Sequence, residues 1–255
     1  FEVLSDTDEQ QTLELARQLE RFHNFMLHFS GSGSFTPVIP TRVFVITRPA
    51  AVGALTDRKA PISAFGTRRA NYFVLHESSS EAMLETAFRE YARYIGRSRG
   101  PSGHPVWYLE GLAQLVSTVR FRDGVLELGR TPTETFRLIQ KRSITIVEEP
   151  DATYVSRPVR PKKKFLRSLI LRDDARVQSP EDSALLRSAA WAFVHYLYFD
   201  LDDTQAARWQ RNARFLAAME GGMQPERAFE AAFETGIDEM EEEIFTHSRF
   251  GPRRY

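Results

Sequence analysis

The strongest constraint on the fold is the segment Glu81–Arg97. Turning 100° per residue, Met83, Leu84, Ala87, Phe88, Tyr91, Ala92, Tyr94 and Ile95 fill one arc of a helix. Glu85, Thr86, Arg89, Glu90, Arg93 and Arg97 fill the other. Such a helix has to lay one side on a core and keep the other wet. Taken alone it is a surface helix with Glu85–Arg89 and Glu90–Arg93 ion pairs, each contributing about 0.2–0.5 kcal/mol. Ser78 at the N-cap and Glu81 three residues on offer it a capping box.

The elements around it define the class. Thr7–Phe29 reads as a helix, with Leu13, Leu15, Ala16, Leu19, Phe22, Phe25, Met26 and Phe29 at helical spacing and Asp6 or Thr7 as cap. Ser30–Ser34 breaks it. Val43–Ile46 and Asn71–His76 read as short strands flanking a polar loop, Asp57–Ala70. A helix over Val106–Val116 follows, then a hairpin over Phe121–Leu128 around Asp123-Gly124 and a short helix over Thr133–Gln140. Helices return over Pro180–Asp200, Thr204–Gly221 and from Pro225 onwards, punctuated by Gly221-Gly222 and Gly236. A helix, a few strands and then mostly helices imply an α+β chain. We expect a single domain over 1–255, with a sheet and motif-helix half (1–100) and a mostly helical half (101–255).

Bulk composition removes several function classes. The 34 basic and 34 acidic residues cancel, so no global field favours nucleic acid or an anionic membrane. No apolar run approaches the ~20 residues needed to span a bilayer. The absence of cysteine excludes disulfides, thiolate zinc sites and thiol catalysis. Because the chain opens on Phe1, we expect a processed product or an excerpt. The basic stretch Arg157, Arg160, Lys162, Lys163, Lys164, Arg167 and Arg172 is interleaved with Phe165, Leu166, Leu169, Ile170 and Leu171. It reads as a solvated loop leading into a core-anchored segment, although such a cluster is also the type that touches anionic lipid, nucleic acid or an acidic partner. No G-x-S-x-G elbow is present, and Gly31-Ser32-Gly33-Ser34 lacks the Lys and spacing of a phosphate loop.

The run His104-Pro105-Val106-Trp107-Tyr108-Leu109-Glu110-Gly111-Leu112-Ala113 stands apart. Gly111 costs helix propensity, so it implies close backbone packing or an adjacent site. Glu110, beside large apolar residues, is expected to be only partly solvated.

Together the two helical segments resemble the gluzincin metallopeptidases, in particular the bacterial peptidase-MA-like domains. In that family one helix carries H-E-x-x-H and the next a motif close to P-x-W-x-x-E-G-x-A. Pro105, Trp107, Glu110, Gly111 and Ala113 match the second motif. Arg89-Glu90-Tyr91-Ala92-Arg93 aligns with the first, with arginine at both histidine positions. The family also shows a strand before the motif helix, a hairpin ending near a glycine, and a late helix of the form S-x-A-x-x-x-x-H-x-L. Gly129, Ser188, Ala190, His195 and Leu197 can play those later parts.

The resemblance implies a zincin-like fold with Glu90 as the general-base position and Arg89, Arg93 and Glu110 as vestigial ligand positions. It also implies an extracytoplasmic location, periplasmic or secreted; the composition fits a cytoplasmic one nearly as well. Neutral imidazoles hold zinc through a lone pair at ~2.0–2.1 Å. A guanidinium stays protonated, with a pKa above ~12, and offers donors only. Zinc is therefore predicted absent, and with it any activated water. We expect Arg89 or Arg93 to pair with Glu110, restoring the charge that a metal would supply. The cleft candidates are Arg89, Glu90, Arg93, His104, Trp107 and Glu110.

The leading expectation is a catalytically inactive domain that binds a peptide or protein or scaffolds an assembly, without nucleic acid. The alternatives are a zinc peptidase with displaced ligands (His76, His104 or His195 with Glu110), a metal-free hydrolase using Glu90, and an anion-binding module using Arg89, Arg93 and Arg97. His195 itself reads as a core histidine, and His104 as a loop residue at the cleft mouth.

Overall fold

The computed structural model describes residues 1–29, 39–47, 64–75, 80–98, 105–122, 125–132, 135, 144–148, 154–158, 165–171, 180–199 and 204–249. The chain divides into two compact units, Phe1–Ser98 and Arg99–Tyr255. Its class is mixed α+β, as the sequence implies.

The first unit runs β1 (Glu2–Ser5), α1 (Glu9–Phe29), β2 (Thr41–Val45), β3 (Ala64–Gly66), β4 (Asn71–Leu75) and α2 (Ser80–Ser98). Its sheet has the order β1-β2-β4-β3. β1, β2 and β4 are parallel, and β3 runs antiparallel at the edge. One face of the central strands is buried throughout, and the other is covered in part. Val43, Val45, Phe73 and Leu75 are buried, and Val74 and Ile46 form a small second cluster with Phe44. This is why β2 and β4 read as nearly continuous apolar runs. α1 and α2 pack together through Phe22 and Phe88, whose rings stack at 4.1 Å between centroids.

In this unit two short strands escape the sequence reading, as does the pair over Ile144–Glu148 and Tyr154–Pro158 in the second. β1 has four residues, and β3 has three inside what reads as a polar loop. The cap of α1 also differs from expectation. Asp6 donates its N–H to the Val45 carbonyl at 3.2 Å, and its carboxylate accepts the Thr47 N–H at 2.8 Å. The sheet thus occupies Asp6, and Asp8 caps α1 by accepting the Gln11 N–H at 2.8 Å.

The second unit contains α3 (Val106–Ser117), the antiparallel hairpin β5–β6 (Arg120–Arg122, Val125–Glu127) and the antiparallel pair β7–β8 (Ile144–Glu148, Tyr154–Pro158). Then come α4 (Phe165–Ile170), α5 (Pro180–Phe199), α6 (Gln205–Glu220), α7 (Pro225–Phe233) and α8 (Ile237–Arg249). Thr204 caps α6 by accepting the Ala207 N–H at 3.2 Å. Glu234, with φ of 59°, ends α7 in the left-handed region, and α8 begins after Gly236. The core is aromatic: Trp107, Phe193, Phe215, Phe229 and Phe233 lie within 4.7–6.1 Å of one another in successive ring contacts. The basic stretch does enter this core. α4 buries Leu166, Leu169 and Ile170, and Arg167 bonds Asp238 at 3.2 Å and Glu226 at 2.8 Å. Those two carboxylates raise the Arg167 pKa above its ordinary value. The Ser78 cap, most of Thr133–Gln140, the hairpin turn Asp123-Gly124 and Lys162–Lys164 lie outside the described residues. Among the described residues, no helix is long and apolar enough to cross a membrane.

The stacked pair gives a direct test of the first unit. Phe22→Ala and Phe88→Ala should each lower stability by about 3–5 kcal/mol in urea unfolding. The double variant should cost less than the sum by about 0.5–1.5 kcal/mol, the coupling of an aromatic pair. Strict additivity would show that the rings do not meet.

Candidate functional site

The helix α2 buries Ala87, Phe88, Tyr91, Ala92 and Ile95, the arc that its periodicity assigns to the core. Tyr91 anchors this face. Its hydroxyl lies 2.7 Å from His23 Nδ1 on α1, and burial, followed by the charges of Tyr94 and Glu20, pushes its pKa well up. The charged arc behaves differently from expectation, because Thr86 and Glu90 are buried as well. Glu90 is only 7% exposed.

A carboxylate so covered requires partners. Glu90 Oε1 accepts a hydrogen bond from Arg93 Nη1 at 2.5 Å, one helical turn away. The same oxygen lies 3.4 Å from Arg89 Nε. The Glu90–Arg93 pair read from the sequence is therefore present. Arg89 turns towards Glu90 and not towards Glu85, as expected if a poorly hydrated carboxylate exerts the stronger field. Both guanidiniums at the motif positions thus donate to the residue that lies between them in sequence. Neither has a lone pair for a cation.

The second motif lies on α3, and most of it is engaged in packing. Trp107, expected among the cleft residues, is buried in the core, 5.0 Å from the Phe193 ring and 6.1 Å from Phe215. A Cβ on Gly111 would lie 2.3 Å from the Ala190 carbonyl oxygen and 2.7 Å from Val194 Cγ2. Gly111 therefore lets α3 and α5 meet backbone to backbone, one of the two roles its sequence setting implies. Ala113, two residues on, is buried. Glu110 is half-buried, as expected of an acid among large apolar neighbours. It belongs to the second unit, and its pairing with Arg89 or Arg93 remains an expectation.

The later matches converge within the second unit. Gly129 has φ of +91°, and a Cβ there would lie 2.9 Å from Phe199 Cε2. Its carbonyl accepts a hydrogen bond from His195 Nε2 at 3.0 Å. His195 sits between the rings of Trp191 and Phe199 and is a core histidine. Ser188 donates to the Ala184 carbonyl at 2.9 Å, and Leu197 is buried.

A buried polar group in the same unit escapes the sequence reading. The Tyr108 and Tyr198 hydroxyls lie 3.2 Å apart, and Asn212 Nδ2 donates to Tyr108 Oη at 3.3 Å. Burial, together with Tyr108, pushes the Tyr198 pKa up. The partners are separated by 90 and 104 residues, so no local pattern could pair them.

Among the described residues, no three His, Cys, Asp or Glu side chains are grouped to hold a metal ion. His76 and His104, the candidates for a displaced site, lie outside the described residues. The donors on Arg89 and Arg93 do not fit zinc. No protein-family model matches the chain, and neither does any curated protein.

Two substitution sets test these local arrangements. Gly111→Ala should destabilise by about 1–3 kcal/mol in chemical unfolding, because the methyl group meets backbone. Gly236→Ala, where the nearest neighbour of the new methyl is 3.8 Å away, should be far milder. Arg93→Ala strands a buried carboxylate and should cost about 1–3 kcal/mol. Most of that loss should be recovered by adding Glu90→Gln. A loss in Arg93→Ala that salt alone reproduces in the parent protein would mark the pair as a surface one.

Proposed function

We propose that this chain is a degenerate gluzincin-like domain, with a zincin-like fold, that binds a peptide or protein and does not hydrolyse it through zinc. One observation carries the reading. The two residues aligned with the metal-binding histidines are guanidiniums, and both donate to the buried carboxylate of Glu90, which aligns with the general base. The positions that would present lone pairs present N–H groups, and both engage Glu90 Oε1. No hydrolytic step is assigned to Glu90.

Supporting observations come from each unit separately. In the first, β4 precedes the motif helix in chain order, as the resemblance implies. In the second, the residues that the resemblance selects belong to one packed arrangement: Gly111 against Ala190, Gly129 against His195, and Leu197 in the core. The resemblance also assigns the domain to an extracytoplasmic site. The neutral net charge gives no reason to add nucleic acid as a partner.

Metal binding decides the reading. Protein purified with added zinc should carry none in stoichiometric amount by elemental analysis, and a chelator should leave its unfolding midpoint unchanged. The double substitution Arg89→His/Arg93→His should raise zinc affinity by at least about tenfold, because two imidazoles four residues apart project from one helical face. Stoichiometric, chelator-sensitive zinc in the unaltered chain would overturn the proposal. A folded double variant with no gain would remove the alignment on which it stands.

A further inference from the structure

We infer that the first unit's sheet binds a single internal water molecule at its foot, where it bridges the Thr41 hydroxyl to the Asn71 side-chain amide. The site goes beyond the peptide-binding reading and does not depend on it.

The strands β2 and β4 begin side by side. Thr41 is the register partner of Asn71, and Asn71 is in turn the partner of Gly66 on β3. Paired residues of neighbouring strands project from the same face, so the three form one row across the sheet. That face is the buried one, which continues along the strands with Val43 and Phe73. Thr41 is only 5% exposed and Asn71 8%. Yet among the described residues Thr41 Oγ1 and Asn71 Nδ2 have no hydrogen-bond partner, not even each other. Polar groups beside them are spent. The Asn71 N–H donates to the Pro40 carbonyl at 2.9 Å. Thr67 Oγ1 accepts the Ala70 N–H at 3.1 Å and donates to the Ala70 carbonyl at 3.0 Å. Two adjacent orphans in a buried row each carry the full cost of desolvation unless a polar group reaches them.

Geometry and charge identify that group. Neighbouring strands lie ~4.8 Å apart. Two hydrogen bonds of ~2.9 Å meeting at one tetrahedral oxygen span nearly the same distance. Neither side chain is charged, so the row gives an ion nothing to balance. Val43 and Phe73, at 0% and 2% exposure, close the next position on the same face, and a larger molecule would have to displace them. A water both donates and accepts, which suits a hydroxyl and either orientation of the amide. Access comes from the third member of the row. Gly66 is exposed, and among the described residues a Cβ there would meet within 4 Å only Asn71 Oδ1, at 3.4 Å.

The test counts long-lived waters in the whole chain by magnetic relaxation dispersion of the water oxygen, a signal that exchanging hydroxyl protons do not enter. The variant Thr41→Val/Asn71→Leu, close in shape but without either polar group, should hold one such water fewer than the parent. Should it fail to fold, Thr41→Val alone should also lose the water, because one remaining partner does not retain it. Thr41→Val should raise the unfolding equilibrium constant by about three- to tenfold in urea, the loss expected of a satisfied hydroxyl. An unsatisfied one would give the opposite sign. An unchanged count of long-lived waters, or a Thr41→Val variant more stable than the parent, would overturn the inference.

Discussion

Glu90 carries an almost wholly buried carboxylate, and the charged face of α2 is arranged around neutralising it. Stripping water from an ion costs far more than a surface ion pair returns, so a carboxylate at 7% exposure needs a close cationic partner. Arg93 supplies it from the next turn, and Arg89 leans towards the same oxygen. The surrounding helix is held in place by apolar contacts that cannot readily adjust: Phe88 stacked on Phe22, and Tyr91 bonded through its hydroxyl to His23. The buried charge is thus imposed by packing on either side of it, and the arginines answer it. A hydrated Glu90 would have left Arg89 free to pair along the helix surface with Glu85.

In the second unit the governing constraint is steric. α3 and α5 approach so closely that a single methyl at Gly111 would enter the Ala190 carbonyl. That approach places Trp107 against Phe193 and brings the Tyr108 and Tyr198 hydroxyls together. Gly129 turns the chain after the hairpin in a conformation that side chains resist, and its carbonyl meets His195. Trp107, Gly111 and Ala113 therefore each have a packing role that would persist without catalysis. A run of residues can resemble an enzyme motif because the helix crossing requires it, so the motif match supports the fold assignment more strongly than it supports activity.

The parts legible in the sequence are those whose cause is local. The buried arc of α2 follows from a 3.6-residue period sustained over several turns, and Ala87, Phe88, Tyr91, Ala92 and Ile95 obey it. The helices expected over Pro180–Asp200 and Thr204–Gly221 are present as α5 (Pro180–Phe199) and α6 (Gln205–Glu220). What was not legible depends on distant chain. Thr86 and Glu90 lie on the polar arc by angle, and their burial comes from what covers them. β1 and β3 are too short to carry a period of two, and their pairing energy lies in β2 and β4. Asp6 would cap α1 if the sheet did not take both its N–H and its carboxylate. The Tyr108–Asn212 bond spans 104 residues. At the candidate site, residue identity alone established that the arginines cannot ligate a metal, whereas their convergence on Glu90 Oε1 required coordinates.

On the proposed reading, a metal ion and a pair of guanidiniums are two answers to one electrostatic problem, and they differ in what they leave over. A zinc ion bound by neutral imidazoles brings two positive charges and open coordination, so it both compensates nearby acids and polarises water. Two arginines also bring two positive charges, but spend them as directional N–H donors that cannot activate a nucleophile. One guanidinium suffices for Glu90, as the 2.5 Å contact of Arg93 indicates. The second, Arg89, adds a longer contact, 3.4 Å, to the same oxygen. Charge compensation explains the presence of arginine at one former ligand position. At the other, Arg89 adds a second N–H donor to the same carboxylate and no lone pair, so neither position offers a metal a ligand.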